Sequence, residues 1–115
     1  MIELDGLIIK KFWIDKIFSG EKIWEIRGTR THKRGRIALI QSGSGMVIGE
    51  VDLVNCLGPL NESQFKLNIT KHCSSHLFSE VSYKNVFAWV LENPVRYAEP
   101  KLYSHPLGAI VWVKL

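Results

Sequence analysis

The chain has 115 residues, 46% of them hydrophobic and 23% charged, with a net charge of +4. That length suits one domain over residues 1–115, with a core that needs no disulfide or metal staples. Two cysteines, Cys56 and Cys73, are too few for a disulfide framework and match no zinc spacing. No apolar run is long enough to span a membrane as a helix.

Gly6 to Lys10 reads as a first strand with Leu7, Ile8 and Ile9 as a buried run. Phe12 to Ser19 reads as a short helix, with Asp15 and Lys16 facing water and Gly20 stopping it. Gly20 to Arg27 then reads Gly-Glu-Lys-Ile-Trp-Glu-Ile-Arg, a charged strand. Alternation puts Glu25 and Arg27 on one face and Trp24 and Ile26 on the other. Lys22 is expected at the exposed mouth of this strand. Charges on an apolar strand are expensive to bury unless paired. A Glu25–Arg27 pair is therefore expected, and two readings stay open for it: a structural brace or part of a site.

Thr29 to Gly35 is a polar loop. Arg27, Arg30, His32, Lys33, Arg34 and Arg36 lie in ten residues with no acid among them. Such a run is either a solvated face or a phosphate-holding surface, since arginine forks match phosphate oxygens. Thr29 and Thr31 add hydroxyls. Lys10 and Lys11 extend the patch, and Phe12 and Trp13 beside them are expected to pack the helix or offer a face to a base.

Arg36 to Gln41 and Met46 to Leu57 read as strands around a Ser-Gly-Ser-Gly turn, Ser42 to Gly45. Pro59 to Glu80 is polar and is expected to hold one or two short helices. His72 and His76 are one helical turn apart with Cys73 between, but no fourth ligand is near and no metal is expected. Tyr83 to Tyr97 and Ala109 to Leu115 read as long strands, with Pro94 marking an edge or bulge. Five or six strands, mostly joined by hairpins, predict a mainly β (α+β) small barrel with short helices closing its ends.

The chain opens with an acidic segment that lacks an apolar stretch, so no signal peptide is expected and the expected location is the cytoplasm, with reduced thiols. The glycosylation-type triplets at Asn61 and Asn68 carry no weight in that setting.

The helix followed by Gly20, Lys22, Glu25 and Arg27 resembles the signature of the ASCH (activating signal cointegrator homology) domains of the PUA-like superfamily. The resemblance continues through Gly28, the block from Arg36 to Gly45, Gly49 to Val51, Ala88 to Pro94 and His105 to Trp112. It implies a PUA-like β-barrel with a cleft between barrel, first helix and basic loop, floored by Lys22, Glu25 and Arg27. It implies an RNA- or nucleotide-binding module whose cleft takes a base and whose basic loop holds phosphates. The alternative it implies is a small hydrolase of the same cleft, an N4-acylcytidine amidohydrolase or a ribonuclease. In the deacylating members the lysine activates or bears the nucleophile, a threonine lies three residues on, and a glutamate lies in the helical insertion. Here Glu25 stands at the threonine position, and Glu80 is the best match for the distal glutamate. His105 belongs to the last block and could face the cleft. No cofactor is implied.

Overall fold

The computed structural model describes residues 4–75 and 78–115. Six strands form one sheet in the order β2-β5-β4-β3-β1-β6. They are β1 (Asp5–Ile9), β2 (Trp24–Arg27), β3 (Gly35–Gln41), β4 (Met46–Leu57), β5 (Phe87–Leu102) and β6 (Trp112–Lys114). The sheet curls into a half-barrel, with β2 and β6 as its two edges. The β3–β4 and β4–β5 pairs are antiparallel, and the first is closed by the turn that the Ser-Gly-Ser-Gly stretch predicts. β1 departs from that pattern and runs parallel to β3. A helix and β2 intervene between them, which supplies the crossover that a parallel pair requires.

That helix is α1 (Lys11–Ser19). Ile14 and Ile17, three residues apart, are its buried pair, at 0% and 1% exposure. They join Leu7, Leu39, Val51, Leu53 and Trp89 in the main core. Truncating such a side chain typically costs ~2–5 kcal/mol. Gly20 ends the helix at φ 86, a left-handed conformation that glycine adopts without strain, and its N–H bonds the Ile17 carbonyl at 3.1 Å. The alternation expected of β2 holds. Trp24 packs with Leu60, Phe65 and Ala88, while Glu25 turns to the opposite face.

The polar middle of the chain forms α2 (Glu62–Leu67) and α3 (Ile69–His72), followed by a 3-10 turn at Phe78–Glu80. Asn61 and Gln64 build a reciprocal capping box at the start of α2. Phe65 anchors α2 and stacks on His72 with ring centroids 4.1 Å apart.

The last two strands differ from the sequence expectation. β5 begins at Phe87 rather than Tyr83 and continues to Leu102, while residues 81–86 form a loop. Val86 and Phe87 are the first residues here that the core buries, so pairing starts with them. β6 is only three residues long, because it finds pairing partners only at Asp5, Gly6 and Leu7 of β1. Pro94 sits in a bulge of β5, where the register shifts opposite Glu50 and Asp52 and Asn93 takes φ 54. No described helix is long and apolar enough to cross a membrane.

Candidate functional site

A cavity of about 470 Å³ opens beside β2, between α1, the end of β1, Ser74 and the residues from Glu80 to Tyr83. Its charged lining is Lys10, Lys22, Glu25, Arg27 and Glu80, three cations against two carboxylates. Trp13 forms part of its wall.

Lys22 is the main correction to the sequence reading. It does not sit at an exposed mouth but is 3% exposed. Its backbone N–H bonds Lys16 O, which tucks the turn after α1 inward. Its Nζ donates to the carbonyls of Trp24 and His72, each at 2.7 Å, and lies 3.6 Å from Glu25 Oε1. The Trp13 ring covers it, with the centroid 4.6 Å from Nζ. Burial pushes the Lys22 pKa below its ordinary value, and the Glu25 carboxylate pulls it back upward. Two carbonyls accept from the nitrogen and a carboxylate lies within ion-pair distance, an environment that suits an ammonium. Lys22 therefore ties α1, β2 and α3 together, and Lys22→Ala would strand two carbonyls rather than leave the fold untouched.

Glu25 is 5% exposed. Its Oε2 accepts from Arg27 Nε at 2.9 Å and lies 2.8 Å from Nη2 as an ion pair. Nη2 also donates to Ile8 O at 2.9 Å, which joins β2 to β1 across the cavity floor. The guanidinium lies 5.7 Å from the Trp89 ring centroid. Nη1 carries no hydrogen bond among the described residues. The trio, with Lys22 and Glu25 buried and Arg27 half-buried, is thus internally paired, yet its carboxylate and guanidinium still form part of the cavity wall.

Glu80 lines the cavity from the 3-10 turn and is itself exposed. Sequence reasoning did not single out Ser42, Ser74, Ser82 or Tyr83, all of which the fold brings to this cavity. Ser74 is 9% exposed. The one sequence signal for Tyr83 was an aromatic residue placed in a strand, which pointed to the sheet rather than to the site.

The basic loop lies apart from the cavity lining and is largely tied to the barrel. Lys33 pairs with Asp5 and lies 5.0 Å over the Trp112 ring. Arg36 reaches Glu50 at 3.1 Å and Asp52 at 2.9 Å. Arg30 donates to Gly58 O at 2.8 Å and stacks over Phe87. Arg34 donates to the carbonyls of Thr31 and Lys33. Thr31 is buried and accepts from the Lys33 N–H, and the Thr29 carbonyl accepts from Trp89 Nε1. Lys33 and Arg36 are neutralised by acids, whereas Arg30 and Arg34 bond only carbonyls among the described residues and keep their full charge. Lys11 pairs with Asp15 along α1, and His105 bonds Tyr103 and the Ala109 carbonyl.

His72 is fully buried. Its Nδ1 accepts from the Ser74 N–H at 3.0 Å, so Nε2 donates to the Phe65 carbonyl at 2.8 Å. Burial pushes its pKa below the ordinary imidazole value, opposed by the Phe65 bond. Both ring nitrogens are occupied, which leaves none for a metal, and no cluster of metal-ligating side chains occurs among the described residues. His76 lies outside the described residues.

Among solved structures, the fold is similar to that of an ASCH protein from Zymomonas mobilis. A serine-to-alanine variant of that protein superposes with a TM-score of 0.74 at 16% identity, covering 98% of this chain and 88% of that one. A second structure of it gives a TM-score of 0.65 at 15% identity, over 82% and 70% of the two chains. A tyrosine-to-phenylalanine variant gives 0.59 at 17% identity, over 88% and 76%. No curated protein matches the sequence significantly. The family model described as ASCH domain matches residues 7–101, from the first strand nearly to the end of β5. That match covers most of the chain and both sides of the cavity, so the chain belongs to the ASCH domain family.

Proposed function

We propose that this ASCH domain binds single-stranded RNA or a nucleotide, taking one unpaired base into the cavity over Glu25 and Arg27. The observation that carries this reading is the pairing of buried Glu25 with half-buried Arg27 in the wall of a cavity of about 470 Å³. Pockets of roughly 300–1,000 Å³ suit small ligands. A carboxylate there repels phosphate but accepts from an exocyclic amino group such as cytosine N4, while Arg27 Nη1 is a donor for a base carbonyl. Phosphates then fall outside, near Lys10 and the carbonyl-bonded Arg30 and Arg34.

A hydrolase reading of the same cavity has one observation in its favour, the lowered pKa of Lys22 beside Glu25. An acid–base lysine needs an accessible lone pair. Lys22 donates to two carbonyls and is ion-paired with Glu25, which favours a structural ammonium over a proton-transfer group.

Two assays separate these readings. Fluorescence anisotropy with labelled single-stranded RNA should show binding that weakens with salt. Its log–log salt slope should flatten by about 0.7 for each phosphate that Arg30→Ala or Arg34→Ala no longer neutralises. An unchanged slope in both variants removes the loop from the interface. Incubation with N4-acetylcytidine should leave it intact, and release of cytidine and acetate above background would replace binding by amide hydrolysis.

A further inference from the structure

We infer that Tyr83 is the base-stacking platform of this cavity and that Gly28 is the residue that holds it there. The inference deepens the base-binding reading and rests on it. The cavity lining holds three large aromatic residues, Trp13, Phe65 and Tyr83, and Phe65 is 2% exposed and stacked on His72. One face of Trp13 is occupied by the Lys22 ammonium, and its ring packs edge-on against Phe12 with centroids 4.7 Å apart. It is a wall element already in use. Tyr83 is 42% exposed although it stands in the lining, whereas Trp13 is half-buried, so Tyr83 is the more accessible of the two.

What positions that ring is the end of β2. A Cβ placed on Gly28 would fall 2.6 Å from Tyr83 Cδ1 and 2.9 Å from Cγ. Real side chains do not approach so closely, so the ring lies directly on the Gly28 backbone. Gly28 does not have a positive φ, so here glycine supplies space rather than an unusual backbone conformation. Gly28 immediately follows Arg27. One stretch of chain therefore sets both the polar floor and the seat of the aromatic wall. Stacking on such a ring is tolerant of base identity, and the Glu25–Arg27 floor is left to discriminate by hydrogen bonding.

The test compares a labelled single-stranded RNA octamer with an abasic octamer of the same backbone. The parent protein should prefer the octamer that carries bases. Tyr83→Leu should reduce that preference by about tenfold to a hundredfold, the range expected for one stacked base, with the salt slope unchanged. Tyr83→Phe should restore it. Gly28→Ala should lose preference as Tyr83→Leu does, and adding Gly28→Ala to Tyr83→Leu should bring no further loss. Tyr83 is an exposed loop residue, so its variants fold even if Gly28→Ala does not. Parent-like preference in Tyr83→Leu overturns this inference and leaves base binding standing. A parent protein that binds neither octamer overturns both.

Discussion

Two glutamates in this chain are each held by an arginine on a β-strand, and they illustrate opposite situations. Glu25 on β2 is almost fully buried, with Arg27 and Lys22 as its partners. Glu50 on β4 accepts from Arg36 at 3.1 Å and from Tyr97, with its side chain still 29% exposed. Water solvates the second cluster whether or not its pairs form. In the first, each charge depends on the others because Lys22 and Glu25 are buried and Arg27 is half-buried. The Glu50 cluster looks richer, since Asp52, Asn93 and Tyr97 join it, and its partners hold the Glu50 carboxyl below its ordinary pKa. Burial and the Glu50 bond raise the Tyr97 hydroxyl pKa well above the ordinary tyrosine value. Counting partners would rank the two clusters wrongly, because burial decides what a missing partner costs.

The same substitution at the two sites breaks or confirms that comparison. Glu25→Gln leaves the buried Lys22 and the half-buried Arg27 without a counter-charge and should cost about 3–5 kcal/mol in chemical denaturation. Glu50→Gln keeps a hydrogen-bond acceptor at a part-exposed site and should cost ~0–1 kcal/mol. Equal losses would mean that the cavity floor is wetter than its burial indicates.

A pH titration of stability sharpens the comparison from the cavity side. His72 is buried with its folded pKa lowered from the ordinary 6.5. Between the two values the unfolded chain binds a proton that the folded chain refuses, so stability should fall as pH drops below about 6.5. One proton sets a slope of at most about 1.4 kcal/mol per pH unit. The fall should vanish in a His72→Gln variant if His72 causes it. Because the His72 carbonyl holds Lys22, protonation here should also weaken the proposed RNA binding in the same pH range.

Much of this was legible in the sequence. The strand character of residues 24–27, the glycine stop of α1, the hairpin at Ser42 to Gly45 and the bulge at Pro94 all follow from local chemistry. So does the pairing of Glu25 with Arg27, because two residues on one strand face meet through a parity that needs no other part of the chain. The family signature came from the same local block. The burial of Lys22 was not legible, because its acceptors include the carbonyl of His72, 50 residues away. Nor was the neutralisation of Lys33 and Arg36, whose acids Asp5, Glu50 and Asp52 lie on other strands.

The sequence by itself determined the elements that a two- or three-residue rule specifies: caps, turns, strand faces and the composition of the charged motif. Tertiary structure decided which charges are buried, which basic residues keep an unneutralised charge, and that Tyr83 sits against Gly28 beside the cavity. The physical reason is that burial and long-range pairing depend on sheet register and on the parallel β1–β3 crossover, and no local window contains either.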